Sequence, residues 1–310
     1  MFSIIIPLYN KREFIKQSIQ SVLDQSYIYF ECIIVDDGST DDSLSLVKEF
    51  NDDRLKILSK INGGVSSARN LGIQIAKYNY IAFLDADDYW SPNYLELMTM
   101  LINKYPNNGL YFSSHYIVYP KGNVIVKSSP ELAAENQSSV FNLFQYFKTY
   151  HVCGWTLHTS CCIVDKNIVI EAGGFDERIS FYEDYDLFSR IALYTDFVYL
   201  NDPLTYYNCD LPADERLTGT RPQISKHWIN YIHSGLLSQS KDINVKYLIH
   251  NFAVFLLRRY RESEKQIDEV NRISKLINDR FLTLRFMILK YSPVWFLIFL
   301  TKRRTNVTNY

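Results

Sequence analysis

The chain has 310 residues, 47% of them hydrophobic, enough to bury a core in one large α/β domain with an appendage. A formal net charge of -1 excludes the global basic footprint expected of a nucleic-acid-binding protein. The cysteines (Cys32, Cys153, Cys161, Cys162 and Cys209) are odd in number and lack C-x-x-C spacing, which argues against a disulfide framework or a zinc site and fits a reducing compartment.

Residues 3–7 predict a short strand; their apolar run stops at Pro7, too soon for the core of a signal peptide. Residues 11–25 place Phe14, Ile15, Ile19, Val22 and Leu23 at helical period. Residues 30–35 read as a second buried strand, 43–50 as a helix and 55–58 as a strand. A helix is predicted over 66–77, a fourth strand over 80–84, and a helix over 92–104 with Pro92 in its first turn. Repeated β-α-β units of this length predict an α/β fold, a mostly parallel sheet flanked by helices.

After Tyr111 the pattern loosens, and residues 119–138 read as a polar loop or insertion. A second ordered block covers 140–208, and 211–221, punctuated by Pro212 and Gly219, predicts a mobile loop. Helical patterns then dominate. Near the end, 281–304 is apolar but interrupted by Arg285, Lys290 and Pro293, too broken for a span of roughly 20 apolar residues. With Lys302, Arg303 and Arg304 behind it, this stretch suits either a membrane interface or a helix docked on the protein. The expected organisation is an α/β domain over 1–225 and a helical C-terminal region over 226–310.

In an open parallel sheet, ligands bind outside the carboxyl ends of the strands. The first strand delivers Pro7, Tyr9 and Asn10 there; the second delivers Asp36, Asp37 and the turn to Asp41; the fourth delivers Asp85, Ala86, Asp87 and Asp88. Crowded carboxylates repel, and a hard divalent cation removes that cost while completing its shell with water and substrate phosphates. Asp85-Ala86-Asp87 therefore predicts a phosphate-bearing ligand held through Mn²⁺ or Mg²⁺; the plainer alternative is a solvated acidic turn before the Pro92 helix. Neither His151 nor His158 has a metal-ligand partner at useful sequence spacing. His158, Thr159 and Ser160 suit a pocket wall or a core strand equally, as does Trp155.

The runs SIIIPLYN, VDDGSTDDS, GGVSSARNLGI and FLDADD, followed by GGFDE at 173–177 and YEDYDLFSRI at 182–191, resemble in order and spacing the inverting family 2 glycosyltransferases with the GT-A fold, of the bacterial polysaccharide and lipopolysaccharide type. The resemblance covers residues 1–210. It implies a Rossmann-like catalytic domain over 1–225, a nucleoside-diphosphate sugar donor with UDP favoured, and a glycan or lipid-linked acceptor in surface polysaccharide assembly. It also implies a cytoplasmic site whose 226–310 tail contacts the inner face of the membrane. Carried over position by position, it gives Pro7, Tyr9 and Asn10 to the nucleoside pocket, Asp37 to the base, and Gly64 and Arg69 to the nucleotide, with Arg69 alternatively pairing with Asp36 or Asp37. Asp85 and Ala86 then belong to the metal motif, Asp87 is the direct metal ligand, and Asp88 stands behind it. Asp184, in the Glu183-Asp184 pair, is the general base; its plainer role is a favourable charge at a helix N-terminus. Arg216 and Arg221 match a loop that closes over the diphosphate, without the histidine usual there. The resemblance places the part of the site that reads the sugar in variable loops that include 111–119. The rival to catalysis is a non-catalytic sugar-nucleotide-binding subunit, disfavoured because Asp87 and Asp184 are both present. The absence of Q-x-x-R-W favours single-sugar addition over processive synthesis.

Overall fold

A computed structural model describes residues 1–128, 138–141 and 157–209, all within a compact unit spanning Met1–Trp228. The expectations for the 211–221 loop, for Arg216, Arg221, His151 and Trp155, and for the C-terminal helical tail lie outside the described residues.

Strand β1 (Phe2–Leu8) is the centre of the parallel half, flanked by β2 (Phe30–Asp36) and β4 (Tyr80–Phe83), with β3 (Leu55–Ser59) beyond β2. Register sets Ile5 beside Ile33 on one side and Phe83 on the other. Every position of β1 and β2 is buried, as expected when helices cover both faces of a parallel sheet and the strands become continuous apolar runs. Helix α1 (Ile15–Leu23) turns Ile15, Ser18, Ile19 and Val22 inward at helical period. A short α2 (Ser43–Val47) follows β2, and α3 (Val65–Ile75) follows β3. Helix α3 approaches β1 so closely that a Cβ on Gly72 would stand 2.5 Å from Ile5 Cγ2, so no side chain fits there. A two-residue β5 (Tyr89–Trp90) precedes α4 (Tyr94–Lys104).

Beyond β4 the sheet becomes mixed. Strand β9 (Cys162–Asp165) runs antiparallel between β4 and β6 (Leu110–Val118), and β10 (Phe197–Asn208) pairs parallel with β6. The far edge of β10 is shared by β8 (Ser138–Phe141) and β5, both antiparallel. Residues 111–118, expected in a variable loop, are thus an interior strand. Their signal is weak because Ser113, Ser114 and His115 occupy buried positions, where the Ser114 hydroxyl is satisfied by the Tyr199 hydroxyl at 2.5 Å. The polar stretch after Tyr119 is a 3₁₀ turn and β7 (Val124–Lys127), a hairpin folded back on β6.

Two short helices complete the described chain. Asp165 accepts from the Asn167 N–H at 2.7 Å and caps α5 (Lys166–Glu171). Helix α6 (Glu183–Ile191) buries Leu187, Phe188 and Ile191 completely. The loop before α6 is fastened to α3 by Asn70, whose Oδ1 accepts from the Phe175 N–H and whose Nδ2 donates to the Phe175 carbonyl, both at 2.9 Å. Gly174, at φ +67°, passes so near that a Cβ would lie 2.9 Å from Asn70 Oδ1. Among the described residues no helix is long and apolar enough to cross a membrane.

Candidate active site

The carboxyl ends of β1, β2 and β4 open onto a cleft of about 1030 Å³. Pro7, Tyr9, Asn10, Asp37, Gly64, Arg69, Asp85, Ala86, Asp87 and Asp184 all line it. Glu183, His158, Thr159, Tyr207 and Asn208 complete the wall contributed by the mixed half of the sheet.

On one side the walls are set by turn chemistry. Asn10 sits at φ 51°, a left-handed conformation that asparagine tolerates. Its Oδ1 accepts from the Thr40 N–H at 2.8 Å and its Nδ2 donates to Thr40 Oγ1 at 3.1 Å, so it joins the end of β1 to the turn after β2. Asp36 supports that turn by accepting from the Ser39 N–H at 3.0 Å. Tyr9 is 46% exposed, a ring free to pack on a flat ligand. Asp37 is buried and spends both oxygens on the next loop: Oδ1 meets Lys60 Nζ at 2.6 Å and the Gly63 N–H at 2.9 Å, and Oδ2 accepts from the Gly64 N–H at 2.7 Å. Gly64 has φ +92°, a backbone conformation that favours glycine, and open space where a Cβ would be. Lys60 carries no signal in the sequence, since its role depends on the turn that brings it back to β2.

Arg69 pairs with neither Asp36 nor Asp37. Its side chain is 3% exposed and reaches Asp85 Oδ1 at 2.6 Å and Glu183 Oε1 at 2.8 Å. One buried guanidinium therefore spans the acidic loop after β4 and the first turn of α6, with its face 5.1 Å from the Phe175 ring. Both carboxylates hold it firmly protonated against the cost of burial. Asp85 Oδ2 accepts from Thr159 Oγ1 at 3.1 Å, so both its oxygens are engaged.

Asp87 faces Lys11, whose Nζ lies 2.9 Å from Oδ2. Burial raises the Asp87 pKa, opposed by the Lys11 charge and reinforced by Asp85. Asp88 is buried beneath the loop, where Oδ2 accepts from Ser160 Oγ at 2.5 Å and Oδ1 from the Asn208 N–H at 2.9 Å. Burial, then the charges of Asp87 and Asp85, raise its pKa well above the usual carboxylate range. Ser160 also accepts from the Asp85 N–H at 3.1 Å, and its carbonyl receives the Trp90 indole N–H at 2.7 Å. The turn Thr159–Cys161 is thus a cradle for the acidic loop, a role that sequence spacing did not reveal.

The chain enters α6 through Tyr182 at φ 64°, an unusual left-handed conformation for a bulky residue and one that costs about 1–3 kcal/mol. It sets Glu183 and Asp184 at the start of the helix, on the cleft wall. Asp184 Oδ1 accepts from the N–H of the adjacent Tyr185 at 2.7 Å, in the first turn of the helix, where a negative charge is favoured by the helix dipole. Burial, then the Glu183 charge, push its pKa up to about 7, against the pull of Arg69. A carboxylate poised near neutrality in a cleft is the electrostatic profile of a general base. Lower on the helix, Asp186 and Arg190 form an i,i+4 pair at 2.5 Å, and Arg190 Nη1 also donates to the Ala172 carbonyl.

Comparison with known proteins gives this geometry a family. The chain is 32% identical over 244 residues to the amylovoran biosynthesis glycosyltransferase AmsB of Erwinia amylovora, covering 74% of this chain and 76% of that one. It is 31% identical over 205 residues to a chondroitin synthase of Pasteurella multocida, covering 65% of this chain but 20% of that larger protein. Among solved structures, S. aureus TarS 1-349 in complex with UDP-GlcNAc superposes with a TM-score of 0.68 at 19% identity, covering 93% of this chain and 81% of that one, a likeness of fold that matches the GT-A expectation. The sequence pattern of Glycosyl transferase family 2 matches residues 3–164, and with more than half the chain inside it, the chain belongs to that family.

Proposed function

We propose that the protein is an inverting glycosyltransferase that moves a sugar from a nucleoside diphosphate, UDP foremost, to a hydroxyl of a glycan or lipid-linked acceptor in surface polysaccharide assembly. One observation carries the reading: Arg69 joins Asp85 to Glu183, and so brings the acidic loop bearing Asp87 and the helix bearing Asp184 onto one cleft. UDP is supported by the bound UDP-GlcNAc of TarS, and polysaccharide assembly by the names of AmsB and the chondroitin synthase.

The residues divide the work. Tyr9, with Pro7 and Asn10, packs against the nucleoside; Asp37 holds the Gly63-Gly64 backbone beside it and offers its carboxylate edge to the base. Asp87 suits a hard divalent cation, since it offers oxygen ligands on the cleft wall close to the charge of Asp85, and Lys11, its present counter-charge, would yield or share its oxygen. Asp85, fixed by Arg69 and Thr159, stands toward the ribose and the waters of such a cation. When bound there, Mn²⁺ or Mg²⁺ supplies charge stabilisation for the departing diphosphate. Asp184 takes the proton of the acceptor hydroxyl as that oxygen attacks the anomeric carbon from the face opposite the leaving group. A single displacement inverts the configuration and needs no second, nucleophilic carboxylate. The reaction belongs on the cytosolic side, and the broken apolar stretch with its basic end at 281–304 supports a peripheral inner-face membrane contact by residues 226–310.

Calorimetric titration of UDP with and without Mn²⁺, on the parent and on Asp87→Ala, tests the donor site. Metal-dependent UDP binding that disappears in the variant is the expected result. UDP binding that ignores both the metal and the substitution overturns the role of Asp87, and no binding of any nucleoside diphosphate overturns the donor class.

A further inference from the structure

Beneath the cleft lies a cluster that the transfer reaction does not use. His115 comes from β6, His158 from the residue before the Thr159–Cys161 turn, and Cys161 from the end of that turn. They are 2%, 5% and 0% exposed. One ligating atom from each lies within 4.8 Å of the others. The two imidazoles meet edge to face, with centroids 4.5 Å apart at 81°. Among the described residues, neither ring nitrogen of His158 has a hydrogen-bond partner. A buried polar atom left in that state costs stability, and each such case calls for an explanation.

We propose that His115, His158 and Cys161 form a binding site for a soft divalent transition metal, Zn²⁺ foremost. Two imidazoles and a thiolate are a donor set that zinc takes readily, leaving a further tetrahedral position open. His158 is also one of the residues of the cleft wall, so the cluster adjoins the cleft while its own ligand atoms stay buried. With metal–ligand bonds of roughly 2.0–2.3 Å, the ligand atoms need only draw in by about an ångström. Binding replaces the Cys161 S–H bond with a Zn–S bond and releases that proton to the buffer. The site is chemically distinct from Asp87, where hard oxygen ligands suit Mn²⁺ or Mg²⁺. Its occupant would pin the turn whose Thr159 and Ser160 hold Asp85 and Asp88. Sequence spacing hides this cluster because its members come together only through the β6 and β9 pairing.

The test uses the full chain, stripped with chelator, incubated with ZnCl₂, desalted and assayed for metal by mass spectrometry. The expected result is one zinc retained per chain in the parent and in Asp87→Ala, and its loss in Cys161→Ser. Cobalt substitution of the parent should give a thiolate-to-cobalt charge-transfer band, which decides the matter on unaltered protein if the cysteine variant does not fold. No zinc retained by the parent, zinc lost in Asp87→Ala, or a cobalt complex without the thiolate band overturns the proposal.

Discussion

The parallel half of the sheet and the mixed half contribute to the cleft in different ways. The strands β1, β2 and β4 each end in a polar turn, so their chemistry is written locally: a strand, then the residues that bind. The mixed half contributes Thr159, Ser160, Glu183, Asp184 and Asn208; Thr159, Ser160 and Asn208 hydrogen-bond to the acidic loop, and Glu183 is tied to it through Arg69. The parallel half brings the polar turns to the cleft, and the mixed half fixes where the acidic loop stands while adding Asp184 to the wall. A cleft assembled in this way should be more sensitive at the ties between halves than at either surface.

The largest effect is expected at Arg69. Arg69→Met removes the shared counter-charge and leaves Asp85 and Glu183 uncompensated, and breaking such a buried pair costs about 3–5 kcal/mol. Urea unfolding should show a loss of that order. A variant within about 0.5 kcal/mol of the parent would show that the halves are held elsewhere. Next comes Asp184→Asn, which should keep nucleotide affinity and lose turnover by about 10²-fold or more, since general-base catalysis is worth about that. In the parent, kcat/KM should fall as pH drops through about 7, because a base works only when deprotonated and the Asp184 pKa of the free protein lies there. A pH-independent rate between 6 and 8, or full activity in the variant, sinks the assignment. The smallest effect is expected at Ser160→Ala, which takes one partner from the buried Asp88 carboxyl and should cost about 1–3 kcal/mol. An unchanged melting temperature there would reduce the mixed half to a passive wall.

The same contrast explains what the sequence could reveal. The run before Asp85 is short, apolar and followed by acids, so the strand, its end and its acidic loop all lie within one local window. Asp184 is visible for a similar reason, with two acids opening an amphipathic helix. Arg69 could be seen as a cation near the nucleotide, but its partners lie 16 and 114 residues away. The choice among Asp36, Asp37, Asp85 and Glu183 is made by the packing of α3 against β1, to which Gly72 is the silent contributor. Strand β6 is obscured because Ser113, Ser114 and His115 are buried, with Ser114 satisfied by Tyr199 and Asn201 of β10, and polar interiors erase the hydrophobic pattern on which strand prediction rests. Lys11 followed a visible motif and was still missed, since nothing in its neighbourhood shows that its amine reaches Asp87.

The double tie of Arg69 has a consequence in binding thermodynamics. A single cation serves two anions, so positive charge arriving beside Asp85 competes with the guanidinium there and alters how strongly it is drawn to Glu183, the neighbour of Asp184. The proton affinity of Asp184 and the cleft's affinity for charged ligands are then conjugate quantities. Whatever factor one imposes on the other, the reverse effect is equal, by linkage. Ligand loading and Asp184 ionisation become two readings of one equilibrium.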